Sequence, residues 1–176
     1  MTEATRTYLE MASPDRLVAA PCPDPELRIE RVYDCPASFF RYLYLAVGRD
    51  YHWVDRAGWT DEQIRTHLAR DAQRLFVAYL RGAPAGYFEL ESHDDGSFEI
   101  AYFGLLPEFK GRGLGKFLLT EACTRAWDAG ARRLWLHTCT LDDKAALPNY
   151  VARGFAPFRT ETYRIPDHPD ERLTSH

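Results

Sequence analysis

The chain has 176 residues, with 22 Lys+Arg against 26 Asp+Glu for a formal net charge of -4, 45% hydrophobic and 27% charged residues. That length implies one compact domain with extensions, and that composition excludes wholesale disorder. The 10 Phe, 10 Tyr and 4 Trp supply enough apolar surface for a core without metal or disulfide staples, and the absence of a Lys/Arg-rich block excludes non-specific nucleic-acid or anionic-membrane binding as the main activity.

Residues 1–26 read as a lead-in, with Pro21, Pro23 and Pro25 blocking a helix and one short strand near Tyr8–Met11. From Leu27 the alternation of Leu27, Ile29 and Arg31 with Arg28, Glu30 and Val32 predicts a strand. Pro36 opens a helix to about Val47, with Phe39, Phe40, Leu43 and Val47 at helical spacing. Tyr51–Trp59 is aromatic and irregular. Thr60 and Gln63 form a capping-box signal for a helix to about Ala72 whose inner face carries Ile64 and Leu68. Runs at Leu75–Arg81 and Ala85–Ser92, joined by Gly82-Ala83-Pro84, read as a hairpin, and Phe98–Leu106 extends it to a meander.

Helical period then returns, with Leu114, Leu118, Ala122, Ala126 and Ala129 on one stripe and Gly130 at its end. Arg133–Thr138 is a strand, a short helix containing Tyr150 closes at Gly154, and Phe155–Ile165 is a last strand. Pro148 is tolerable there if that helix starts late, after Asp142 or Asp143. Residues 27–165 thus form the domain and 166–176 a loose polar tail. The class is α/β (α+β), with a mixed, mostly antiparallel sheet of six to seven strands flanked by about four helices.

Cys22, Cys35, Cys123 and Cys139 show no CxxC pairing and no zinc spacing, so they read as reduced, mostly buried thiols. Met1–Met11 carries Glu3, Arg6 and Glu10 where a signal peptide needs an apolar run, and no window approaches the roughly 18 apolar residues of a membrane span. The expected location is the cytoplasm, with no membrane and no nucleic-acid partner.

The most informative segment is Leu106-Pro107-Glu108-Phe109-Lys110-Gly111-Arg112-Gly113-Leu114-Gly115-Lys116, which joins a strand to a long amphipathic helix. The first turn of a helix leaves four amides without internal partners, its dipole adds partial positive charge, and glycines let an anion approach closely. Lys110, Arg112 and Lys116 add charge, so the loop suits a phosphate or pyrophosphate. It satisfies neither GxxxxGK[ST] nor GxGxxG, because Phe117 follows Lys116 and the third glycine is misplaced.

These residues resemble the pyrophosphate loop [QR]-x-x-G-x-[GA] of the GNAT (Gcn5-related) N-acetyltransferases, with Lys110-Gly111-Arg112-Gly113-Leu114-Gly115 in register and Lys in the first position. The resemblance extends from about Leu27 to Ile165. It implies the GNAT acyl-CoA N-acyltransferase fold and acyl transfer, usually of acetyl, from acetyl-CoA to a primary amine by direct attack, without a metal. It also implies strands splayed around a bulge, where the backbone near Gly104, Leu105 and Leu106 binds the pantetheine arm. The cofactor set is then Leu105, Leu106, Lys110, Gly111, Arg112, Gly113, Leu114, Gly115 and Lys116.

Direct transfer needs a neutral nucleophile and a proton for the departing thiolate. Glu99, 14 positions before Gly113, is similar in spacing to the glutamate of the histone-acetylating branch and is the expected general base. A free carboxylate near pKa 4.3 is a weak base, so burial must raise it. Glu89, Glu91 and His137 are reserve candidates. Tyr150, in a match to the family's Y-x-x-x-G-F ending, is the expected general acid, since a phenol near pKa 10 stays protonated at neutral pH. Cys139 has no sequence-evident activating partner and reads as a strand-core thiol.

Tyr42, Tyr44, Tyr51, His52, Trp53 and Trp59, with Asp50, Asp55 and Arg56, suggest an aromatic-walled pocket for a small-molecule amine, an aromatic amine included. Peptide or protein N-acetylation, and a non-catalytic acyl-CoA-binding module, are the alternatives. The acceptor's identity, the acyl chain length and the oligomeric state, a homodimer included, are left open at this point.

Overall fold

Seven strands form one sheet in a computed structural model that describes residues 2–165. In chain order the elements are β1 (Thr2–Met11), β2 (Leu27–Val32), α1 (Ala37–Gly48), α2 (Asp61–Leu68), β3 (Gln73–Leu80), β4 (Ala83–Ser92), β5 (Ser97–Leu105), α3 (Leu114–Asp128), β6 (Arg133–Cys139), α4 (Ala146–Arg153) and β7 (Ala156–Ile165). The sheet order is β2-β3-β4-β5-β6-β1-β7, with every pair antiparallel except β5 and β6. The expected tail, 166–176, lies outside the described residues. Among the described residues, no helix is long and apolar enough to cross a membrane.

The two faces carry separate cores. On one, α3 and α4 lay Leu114, Leu118, Leu119, Ala122, Cys123, Ala126 and Tyr150 against Leu9, Phe88, Leu90, Phe98, Ile100, Leu134 and Leu136. On the other, α1 and α2 lay Phe40, Leu43, Val47 and Ile64 against Leu75, Val77 and Tyr87. The α2 start is as its sequence signals: the Gln63 amide donates to Thr60 Oγ1 (3.2 Å) and the Thr60 amide to Gln63 Oε1 (2.8 Å). That helix ends four residues before the expected Ala72, because β3 begins at Gln73, whose side chain is drawn into the interior.

The first 26 residues differ most from expectation. In place of a short strand near Tyr8–Met11, a ten-residue strand lies inside the sheet between β6 and β7. Its alternation is hidden in the sequence because only Ala4, Leu9 and Met11 are buried, and a register shift at Tyr8/Leu9 breaks the period against β7. The chain then crosses α4, where the Val18 amide donates to the Arg153 carbonyl (2.9 Å), and α3, where the Ala20 amide donates to Thr120 Oγ1 (2.9 Å), to reach Gly113 with Pro23.

The β3–β4 turn is also tighter than expected. Arg81 and Gly82, both at positive φ (50° and 86°), form a two-residue turn, and Pro84 sits in β4 where the register slips against Tyr79. The late start of α4 is as expected. Asp143 organises the preceding turn by accepting from the Ala145 amide (2.9 Å), and Pro148 falls in the first helical turn.

Candidate functional site

The parallel pairing of β5 with β6 covers only Ser97–Glu99 against Arg133–Trp135. Beyond those residues the strands part, leaving the facing edges of β5 and β6 without a strand partner. A cleft of about 1130 Å³ runs through this gap, lined by β5, by the loop before α3, by α4 and by the α1–α2 segment.

A bulge in β5 sets the chemistry of one wall. Glu89 pairs with Tyr102 and Leu90 with Ile100, so Ala101 is the extra residue. The bulge shifts the alternation by one, and Glu99, Tyr102 and Gly104 therefore share the α1–α2 face while Ile100 and Phe103 join the opposite core. The bulge is thus not at Gly104. That glycine serves close packing instead: a Cβ there would stand 2.5 Å from Val47 Cγ1.

Glu99 lines the cleft, with Oε2 3.1 Å from His93 Nε2. Burial raises its carboxyl above the ordinary range, against the opposing pull of His93. Glu89 is fully buried, lies off the cleft and is fully occupied. It accepts from Arg56 (2.5 Å), His67 Nε2 (2.7 Å) and Gln73 Nε2 (2.8 Å). Burial alone would raise that carboxyl, but His67, Arg56 and Gln73 hold it below the usual value. Glu91 lines the cleft and is paired with Arg70. His137 also lines it, held toward the neutral form by burial and by Arg6.

Tyr150 faces the cleft from α4, its ring meeting Phe103 and Phe155 edge-on at 6.1 and 6.3 Å. Burial, with Asp142 and Asp143 nearby, pushes its phenol well above the ordinary range. Cys139 is not a core thiol. It lines the cleft, because β6 turns Leu134 and Leu136 into the α3 core and Trp135, His137 and Cys139 to the other face. Cys22, Cys35, Cys123 and Cys139 are all free; only Cys123 is buried, and its thiol is pushed up to about 12 by desolvation.

The glycine loop turns through left-handed backbone into α3. Gly111 (φ 76°) and Gly113 (φ 77°) are left-handed, and Gly113 is the residue from which α3 starts. Cleft-lining positions here are Leu105, Lys110, Gly111, Gly113, Leu114, Gly115 and Lys116. Arg112 lies outside, its guanidinium 5.3 Å from the Phe109 ring centre. Leu106 also lies outside, with its side chain in the α1 core and its amide donating to the Ala85 carbonyl (2.8 Å). Lys110 is engaged: its ammonium contacts Tyr51 Oη and lies 3.5 Å from Asp143, while Tyr51 donates to the same carboxylate (2.7 Å). This cluster links the α1–α2 segment, the glycine loop and the β6–α4 loop. Nothing in the linear order of residues announces it, because the three residues come from separate segments.

The expected aromatic wall is divided. Tyr51, His52 and Trp53 line the cleft with Tyr102, which Trp53 meets edge-on at 4.9 Å. Tyr44 is buried and accepts the Arg56 amide (3.1 Å), Tyr42 is exposed, and Trp59 packs on His67. Tyr102 was legible only through the bulge. Arg6 of β1 also lines the cleft, a contribution hidden by reading its segment as a lead-in. No group of three or more His, Cys, Asp or Glu side chains suited to a metal occurs among the described residues.

Comparison with known proteins agrees with this architecture. The model of the acetyltransferase (GNAT) family matches residues 29–155. A mycothiol acetyltransferase of Nocardia farcinica is 30% identical over 166 residues, covering 86% of this chain and 54% of that protein. The chain thus spans about half the length of that relative. A GCN5-related N-acetyltransferase from Kribbella flavida superposes with a TM-score of 0.64 at 19% identity over 90% of this chain and 56% of its own. An aminoglycoside acetyltransferase from a soil metagenome gives 0.60 at 18% identity over 73% and 88%. The parted parallel strands, the glycine loop opening α3 and the family match over most of the chain have one reading: this chain belongs to the acetyltransferase (GNAT) family.

Proposed function

We propose that the protein transfers an acetyl group from acetyl-CoA to the amine of a small molecule by direct attack. The observation that carries this is the gap between β5 and β6, which opens past Glu99 and runs to the left-handed glycines at the start of α3. The residues fit an acyl-CoA. The unpaired strand edges can hydrogen-bond an amide-bearing arm as an added strand would, and the free amides of the first α3 turn, with Lys116, suit a pyrophosphate. Bound there, acetyl-CoA supplies the activated acyl group.

Glu99 takes a proton from the acceptor's ammonium to give the neutral amine that attacks, and its raised pKa brings it closer to that task than an exposed carboxylate. Tyr150 holds a proton at its phenol for the departing sulfur. In water, donation from a phenol near 10 to a thiolate near 8.5 is uphill by about 2 kcal/mol. It therefore depends on the same dry cleft raising the thiol as well. Trp53, Tyr102 and Tyr51 wall the side from which an amine enters.

Calorimetric titration with acetyl-CoA, beside CoA and ATP, tests the reading. Saturable micromolar binding of acetyl-CoA, absent for ATP, followed by thiol release with an amine, is the expected result. No binding would remove the cofactor assignment.

A further inference from the structure

Among the described residues, six cations face the cleft. Arg153, whose Nε is buried without a hydrogen-bond partner, stands on α4, and Arg164 is level with Glu3, both on the α3 side of the sheet. The others divide by their partners. Arg56 is spent on buried Glu89, and Lys110 on Asp143 and Tyr51. Lys116 belongs to the glycine loop. Arg6 belongs to neither group. It stands on β1 opposite Cys139 of β6 and Glu161 of β7. Its guanidinium lies 5.0 Å from the Tyr163 ring centre, and the neutral phenols of Tyr8 and Tyr163 are close enough to accept from it. Its Nε is buried without a hydrogen-bond partner, and among the described residues no carboxylate forms an ion pair with it. Glu161, the acid nearest in register, is occupied by Arg159 (2.6 Å) and by the Tyr8 hydroxyl (3.1 Å).

Leu9 and Met11 pack in the α3 core, so alternation places Arg6 and Tyr8 on the other face with Trp135, His137 and Cys139. That is the face of Glu99 and the α1–α2 segment, whereas the glycine loop opens α3 on the far side of the sheet. A partly desolvated, fork-shaped cation without a carboxylate, opposite the side that suits the pyrophosphate, is matched to an anion on the other substrate.

Resting on the acyl-transfer reading above, we propose that the acceptor is an amine that also carries a carboxylate, and that Arg6 binds this carboxylate. Register bounds the tether. Glu99 is level with Trp135 and Arg6 with Cys139, four residues along and two strands across, so the two backbones lie at least ~16 Å apart. Side chains stand roughly perpendicular to a sheet, so leaning together closes only part of that separation, which favours an acceptor longer than a free α-amino acid. A dipeptide-like or ω-amino acid meets that requirement.

The test compares matched acceptors in a thiol-release assay with saturating acetyl-CoA: glycylglycine against glycylglycinamide, and 6-aminohexanoate against its amide. The wild type should prefer the carboxylate member by about ten- to a hundredfold in kcat/KM, the range of a hydrogen-bonded charge pair. Arg6→Met should abolish the preference mainly through KM, and Arg6→Glu should push it below unity, both with the acetyl-CoA Kd retained. Equal rates within each wild-type pair, no turnover of either carboxylate, or a preference that survives Arg6→Met overturns the proposal while leaving the cofactor reading intact. Failure of the wild type to bind acetyl-CoA removes the underlying reading instead.

Discussion

Arg56→Met probes the buried network that ties the irregular α1–α2 segment to the sheet. The Arg56 and Glu89 side chains are 10% and 1% exposed and 2.5 Å apart. The substitution removes the guanidinium and leaves Glu89 with His67 and Gln73 as donors, in surroundings that cannot solvate its charge. Deleting one partner of a buried pair costs about 3–5 kcal/mol. Loss of the guanidinium from the faces of Tyr102 (4.2 Å) and Trp59 (4.9 Å) adds about 1 kcal/mol. At about 2–4 °C per kcal/mol for a chain of this size, Tm should fall by roughly 8–24 °C.

Urea unfolding followed by tryptophan fluorescence gives the free energy directly. Adding Glu89→Gln should recover about 2 kcal/mol, because the orphaned charge is then gone. The pH dependence has a definite sign. Glu89 is depressed in the folded state, so its contribution is complete above the unfolded value of 4.5 and is lost as pH falls through the lower folded value. Glu89→Gln should flatten that acid limb. A loss below about 1 kcal/mol for Arg56→Met, or strict additivity of the double variant, would refute the reasoning.

Gly113→Glu places a carboxylate and a strained left-handed residue at the start of α3, so acetyl-CoA binding should vanish in calorimetry; near-native affinity would sink the loop assignment. Tyr150→Phe should lower kcat by about a hundredfold with little change in acetyl-CoA affinity, and an unchanged rate would remove Tyr150 as the proton donor. Gly104→Ala puts a methyl 2.5 Å from Val47 Cγ1 and should cost about 1–3 kcal/mol in urea unfolding, with Val47→Ala as the compensating change; no rescue would mean the strain lies elsewhere.

Local signals carried much of this protein. The capping box of α2, the amphipathic stripe of α3, the glycine loop and the Tyr150-to-Phe155 ending depend on residues close in sequence, whose hydrogen bonds and periodicity hold in any tertiary setting. Three features were decided only in three dimensions. β1 reads as a weak lead-in because an interior strand with one cleft-facing side needs few apolar residues, and its place between β6 and β7 rests on long-range pairing. The bulge at Ala101 is a mismatch between two strands, so neither strand alone announces that Glu99 and Tyr102 share a face.

Charge compensation is the third. Arg6, Arg56 and Lys110 are all cations in the sequence, yet folding assigns Arg56 to Glu89 and Lys110 to Asp143 and leaves Arg6 without a carboxylate. A charge is neutralised over a few ångströms of space, and which groups come that close is a property of strand order, which the chain's own sequence of residues does not display.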